Sequence, residues 1–212
     1  MRDIVETPIL TLSATSRHLA IPKGTLHAWL TDTRGPLVHR VPDQPHNWPT
    51  IPFVGVVEAH VLRLLRHDLK LSLPKVRDAA MAVRREFDTP YALATKRVAT
   101  DGADIFIEYA TGELARAHDG QQPFREVIDS HLRFIRWGDD DWPAAITLQQ
   151  YSEVAPVIID PRFAWGQPVV ERNRVPVAAI TEMWRAGDPM DLIAEEFDLT
   201  REQVETICRA AA

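Results

Sequence analysis

Residues 16–30 read SRHLAIPKGTLHAWL, and the architecture of the N-terminal half turns on how this stretch is parsed. Ser13 can cap a helix whose apolar residues include Ala14 and Leu19. Pro22 disfavours helical geometry at Ile21 before it, so that helix stops. Beyond the proline, Leu26, Trp29 and Leu30 recur at i, i+3 and i+4, the mark of a second helix with one apolar face. Two short helices across a tight turn are a common way to lay the second one in a DNA groove. Its outward residues are then Gly24, His27, Ala28 and Thr31, flanked by Lys23 and Thr25. Small residues let a helix approach a groove closely, and its first amides can receive a phosphate. Lys23 supplies charge, while Thr25 and His27 can bond to phosphates or base edges. Arg17 on the first helix, and Arg34 and Arg40 in the turn that follows the second, complete the expected DNA-binding set.

An acidic chain is a strange partner for a polyanion, and the formal net charge is −6. The charge is unevenly placed, however. Residues 1–98 hold 14 Lys+Arg against 9 Asp+Glu, a surplus of +5, and residues 99–212 carry −11. Exposed charges are screened beyond a Debye length of about 8 Å at physiological salt. A basic half can therefore meet DNA while the acidic half lies elsewhere.

Composition narrows the class further. With 45% apolar and 25% charged residues the chain can bury a substantial core. The single cysteine, Cys208, excludes an intramolecular disulfide and suits a reducing compartment. No apolar run approaches the roughly 18 residues of a membrane span. The opening MRDIVETPIL places acids where a signal peptide would be apolar. A cytoplasmic protein with no membrane association is expected.

Along the rest of the chain, DTRGPLVHRVP reads as a turn and a short extended run that suits a wing, and PDQPHNWPTIP as a loop. A long helix is expected through FVGVVEAHVLRLLRHD, with Phe53, Val57, Val61, Leu64 and Leu65 inward and His60, Arg63 and His67 outward. Ser72 and Pro74 start the next helix, whose buried face is Val76, Ala80, Val83 and Phe87, with Arg77 and Arg84 projecting together. Residues 97–120 suggest a small hairpin, FREVIDSHLRFIRW a helix, GDDDW a loop and AITLQQY a strand. A proline-punctuated extended stretch, APVIIDPRFAWGQPVVERNRVPV, leads to three short helices. Gly187 stops the first, Asp188 and Pro189 start the second, and Thr200 with Gln203 forms a capping box for the third. Ile193 and Phe197, then Val204, Ile207 and Cys208, form their inner faces.

The expected fold class is therefore mainly α with small β elements (α+β). A winged helix-turn-helix over residues 1–90 is followed by a connecting hairpin and helix over 91–150 and a three-helix module over 151–212. Catalysis, cofactors and metals are not expected. His60 and His67 share a helix face without metal-ligand spacing, GDDDW is a solvated loop, and Cys208 sits on an apolar face. Trp29, Trp165 and Trp184 stand among apolar neighbours and are expected to pack.

Two resemblances extend this reading. TSRHLAIPKGTLHAWL, with the turn after it and the helices from FVGVVEAHVL to AVRREF, resembles the MerR-type winged helix-turn-helix over about the first 90 residues. It departs where MerR relatives carry an arginine-tyrosine pair, since His27 and Trp29 stand here. The C-terminal stretch is similar to a small helical domain of VapB-type antitoxins, through Asp160, Pro161, Gly166, Pro168, Arg174, Pro176, Val177, Gly187, Ile193, Leu199, Thr200 and Val204. Arg172 and Asn173 replace that pattern's usual Gly-Thr.

What the second resemblance implies is a partner: a PIN-domain ribonuclease toxin with carboxylates gathered round a divalent metal. Arg162, Arg172 and Arg174, in an extended stretch, are the implied toxin-binding candidates. Either a cation enters the toxin's carboxylate cluster, or the acidic half faces a basic RNA-binding surface. Arg174 could equally brace the module's own acidic helices. An antitoxin that also binds its own promoter DNA as a homodimer is the expectation. The alternative is a stand-alone MerR-like regulator whose C-terminal half senses a ligand.

Overall fold

A computed structural model of the chain describes residues 2–42, 44, 45, 47–68, 70–100, 105, 126, 129, 130, 132–151 and 153–211. The architecture is α+β, and the chain divides into two compact units, residues 1–144 and 145–212.

The first unit begins with a short helix α1 (Arg2–Glu6) and strand β1 (Pro8–Leu10), which pairs antiparallel with β2 (Ile51–Pro52). Between these strands lies the helix pair. Helix α2 (Leu12–His18) is capped by Thr11, whose Oγ1 accepts from Ala14 N–H at 3.1 Å. Ser13, the expected cap, lies inside the helix; both residues have the chemistry, and the extended backbone of Thr11 decides between them. The turn closes through Ile21 N–H to Ser16 O at 3.0 Å, with Ala20 in the left-handed region at φ 50. Ser16 Oγ donates back to Ile21 O at 2.6 Å, so the turn is hydrogen-bonded from both sides. Helix α3 (Lys23–Thr31) then buries Leu26, Trp29 and Leu30, and α2 packs against it.

The loop after α3 contains no strand among its described residues, unlike the short extended run expected there. Its amides turn inward instead: Leu37 and Val38 N–H both donate to Trp29 O, at 2.9 and 3.3 Å. Helix α4 (Phe53–Arg63) is buried along ten consecutive residues, Phe53 to Leu62, and continues into a π-helical turn at Leu64–Asp68. His60, expected outward, is therefore buried, whereas His67 is exposed. An amphipathic stripe fails here because neighbours surround the helix. At Gly55 a β-carbon would lie 2.5 Å from the His39 carbonyl oxygen, so this position tolerates no side chain without moving backbone.

Helix α5 (Leu73–Glu86) starts at Ser72 with proline in its first turn and buries Val76, Ala80 and Val83. A 3₁₀ turn (Ala92–Ala94), α6 (Arg97–Thr100) and β3 (Ile135–Trp137) follow. The hairpin expected over 97–120 falls largely outside the described residues; of the helix expected over 124–137, Glu126, Asp129, Ser130 and Leu132 are helical, and residues 124, 125, 127, 128 and 131 lie outside the described residues. Its final residues form β3 instead of a helical turn. Gly138–Trp142 is a turn, closed by Gly138 N–H to Trp142 O at 2.8 Å.

In the second unit, β4 (Pro143–Thr147), β5 (Val157–Ile159) and β6 (Val169–Val170) form an antiparallel meander. Ile146 pairs with Ile159, and Val157 with Val170. Three helices follow: α7 (Val177–Ala186), α8 (Met190–Glu196) and α9 (Arg201–Ala211). Gly187 ends α7 at φ 94, a left-handed cap that glycine adopts freely. The capping box before α9 is present: Thr200 N–H donates to Gln203 Oε1 at 2.9 Å, and Gln203 N–H to Thr200 Oγ1 at 3.2 Å. Ile180, Ile193, Val204, Ile207 and Cys208 fill the space between the helices. Burial pushes the Cys208 thiol above its ordinary pKa, as befits a core residue.

Candidate nucleic-acid and partner-binding sites

Helix α3 divides cleanly by face. Leu26, Trp29 and Leu30 are buried, and Lys23, Gly24, Thr25, His27, Ala28 and Thr31 are exposed. No atom lies within 4 Å of where a Gly24 β-carbon would stand, so the helix start is open to a large neighbour. Thr31 Oγ1 donates to His27 O at 2.8 Å, which leaves its hydroxyl oxygen able to accept. Arg17 is exposed in the last turn of α2. Behind it His18 is buried, its Nε2 without a hydrogen-bond partner, and its pKa falls to about 4. Burial is the main cause, with the neighbouring Arg17 charge adding to it.

Arg34 and Arg40 are both exposed in the loop after α3. Arg34 folds back on Asp32: its N–H donates to Asp32 Oδ1 at 2.9 Å and its guanidinium reaches both carboxylate oxygens at 3.4 Å. The Arg34 amide, then the Arg34 and Arg77 cations, hold the Asp32 carboxyl below its usual range. An exposed pair at that length is weak, and Arg34 can exchange Asp32 for another anion at little cost.

What holds this loop was only half visible in the sequence. Arg77 and Arg84 do project together from α5, but inward. Arg77 Nη1 donates to Gly35 O at 3.0 Å and its Nη2 to the Asp32 carboxylate. Arg84 reaches Pro36 O and Leu37 O, each at 2.9 Å, and the buried Glu58 at 3.2 Å. Glu58 also accepts the His39 N–H at 2.7 Å and meets His39 Nδ1 at 2.7 Å. Five carbonyl and carboxylate acceptors thus bind the loop to α4 and α5. Each contact spans 19 residues or more, so no local pattern announces it.

In the second unit the three arginine candidates have different surroundings. Arg162 is chelated by the buried Asp160, with Nε to Oδ1 at 2.9 Å and Nη2 to Oδ2 at 2.6 Å. That hydrogen bonding raises the Arg162 pKa, outweighing the cost of partial burial. Arg172 pairs with Asp198 at 2.6 Å, both side chains exposed. It is Arg172, therefore, that reaches the acidic helical region. Arg174 lies over the Phe163 ring, 5.0 Å from its centroid, and its Nη1 is buried with no hydrogen-bond partner. Trp165, expected to pack, is 91% exposed. Ala164, Trp165 and Gly166 all have left-handed φ (46, 54 and 77), which turns the indole out of the fold.

Helices α8 and α9 also meet across a short turn, with Asp198 at φ 50. Yet α9 is a poor match for phosphate: Arg201 is engaged by Glu205 at 2.8 Å and Asp191 at 2.9 Å. Among the described residues no three His, Cys, Asp or Glu side chains could hold a metal ion together. No helix among them is long and apolar enough to cross a membrane.

Residues 157–209, from β5 to the end of α9, match the family DUF433, described as a protein of unknown function. The chain is 29% identical to a Mycobacterium tuberculosis protein described as "Putative antitoxin VapB45", an alignment covering 98% of this chain and 95% of that one. Its fold matches the crystal structure of Rv2018 from Mycobacterium tuberculosis with a TM-score of 0.79 at 28% identity, covering 95% of this chain and 97% of the other. Over nearly its whole length, then, the chain is similar to a protein described as a putative VapB-type antitoxin.

Proposed function

We propose that this protein is a non-enzymatic, cytoplasmic antitoxin that neutralises a PIN-domain ribonuclease toxin and represses its own operon by binding promoter DNA. The likeness to an antitoxin along the whole chain carries the proposal. A shared module alone could serve many purposes, whereas likeness from end to end preserves the combination.

For DNA, the reading is supported by the exposed face of α3 in the half that carries the basic surplus. Lys23 and Arg17 would neutralise phosphates, and Thr25, His27 and Thr31 would meet base edges, with Gly24 and Ala28 allowing close approach. Arg77 and Arg84 would keep the loop bearing Arg34 and Arg40 in place beside that helix. A homodimer is part of the proposal, because paired half-sites multiply the weak specificity of one helix.

For the toxin, the second unit supplies the surface. Its 11 acidic and 6 basic residues make it unsuited to RNA and suited to a protein. Arg162, Arg172 and Arg174 are the cations available to a carboxylate cluster, although two already have acidic partners.

Co-expression with a PIN-domain ribonuclease, taken from the neighbouring gene if one is encoded there, tests the antitoxin half. Restored growth is expected, and continued arrest with the antitoxin present would contradict it. Gel shifts on the chain's own promoter fragment test the regulatory half, with a salt-sensitive shift expected.

A further inference from the structure

Three of the second unit's six arginines fall between residues 162 and 174, in a unit whose net charge is −5. Within that local reversal of charge, two of the three have acidic partners. Arg162 is held by Asp160, and Arg172 by Asp198. Arg174 is held by an aromatic face, with a buried donor unspent. The Arg174 side chain is only partly buried, so its guanidinium can also meet a carboxylate from the solvent side.

Beside it the backbone pays for an exposed indole. Residues with side chains avoid the left-handed region, and a bulky one there is an outlier. Here Ala164 and Trp165 occupy it in succession, and Arg174 does so at φ 64. Phe163 and Ala164 pack on the core of Ala145, Ile158 and Val169, so the loop is anchored, and of its aromatic side chains it is Trp165 that faces outward. Packing that fixes a strained loop in order to expose its largest apolar side chain is the arrangement of a contact point.

We propose that Trp165 and Arg174 form the anchor of a protein–protein interface. The occupant offers an apolar pocket for the indole and, at its rim, a carboxylate for the guanidinium. Nucleic acid is disfavoured as the occupant by the acidity of the unit. The proposal rests on the reading that this unit binds a ribonuclease toxin, and it names the residues that carry the contact. Arg162 braces the Asp160 turn, and Arg172 contributes little.

The test uses the full-length chain and the PIN-domain ribonuclease that it neutralises in the co-expression assay, with calorimetric binding, thermal melting and promoter gel shift measured on each variant. Trp165→Ala is expected to weaken ribonuclease binding about 30-fold or more. Its melting temperature and DNA shift should not change, since the removed side chain is almost wholly solvated. Trp165→Phe recovers most of the affinity. Arg174→Met keeps the stem on Phe163 but removes the charge, and is expected to lose about 10-fold together with part of the salt dependence. Arg172→Ala stays within about 3-fold. If the wild-type chain binds the ribonuclease and both Trp165→Ala and Arg174→Met bind as tightly, this anchor is overturned while the antitoxin reading stands. If the wild-type chain binds no ribonuclease, both fall. Loss of the DNA shift in Trp165→Ala with an unchanged melting temperature would assign the indole to nucleic acid and overturn the proposal.

Discussion

His18 gives the N-terminal unit a calculable weakness to acid. It is buried in the last turn of α2, its Nε2 has no hydrogen-bond partner, and its pKa is lowered from 6.5 to about 4. Between those values the unfolded chain takes up a proton at this site and the folded chain does not. Stability therefore rises with pH across the window: it is complete above pH 6.5 and is lost as pH falls toward 4. At about 1.4 kcal/mol per pKa unit, the gap corresponds to roughly 3 kcal/mol. That is a large share of the ~5–15 kcal/mol of a typical domain. His18→Leu fills a similar space with no titratable group. Urea unfolding of both proteins, followed by far-ultraviolet circular dichroism from pH 7.5 to 4, should give stabilities that diverge below pH 6.5 in favour of the variant. At pH 7 the variant should be no less stable, because it removes an unsatisfied buried nitrogen. Two curves that remain parallel from pH 6.5 to 4 would refute the reasoning.

Lys23→Ala should weaken promoter binding and reduce the slope of log K against log salt by about one, with no change in melting temperature, because the side chain is exposed. An unchanged slope would remove Lys23 from the interface. Arg77→Met should lower stability in chemical denaturation, since it leaves the Gly35 carbonyl without this donor and Asp32 with Arg34 alone, and by more than Arg172→Ala, which should cost less than about 1 kcal/mol for its exposed pair. Equal losses would mean that burial does not distinguish these two arginines. Thr200→Ala removes one half of a reciprocal cap and should cost about 1 kcal/mol of stability in the second unit.

Local chemistry carried most of the helix pair and of the C-terminal module. The i, i+3, i+4 spacing of Leu26, Trp29 and Leu30 defines a face that is buried as read, and Gly187 and the Thr200–Gln203 box end and start helices where their chemistry requires. The failures have a common cause. His60 reads as the wet side of an amphipathic helix, yet α4 is enclosed, and the buried Glu58 near it is satisfied by His39 and Arg84, 19 and 26 residues away. Arg77 and Arg84 were legible as a pair but not as a brace, since their acceptors lie more than 40 residues upstream apart from Glu58. Trp165 could not be foreseen as exposed. Its orientation depends on three successive left-handed residues, and only the packing of Phe163 and Ala164 beneath it imposes that backbone. Long-range pairing and tertiary strain are what periodicity cannot report.

Titrating purified ribonuclease with the full-length protein, while following cleavage of a labelled RNA, bears on the antitoxin proposal itself. Cleavage should fall to zero at a fixed molar ratio, and the inhibited complex should still shift promoter DNA. Undiminished cleavage at a large excess of a folded, DNA-binding chain would show that it does not act as an antitoxin.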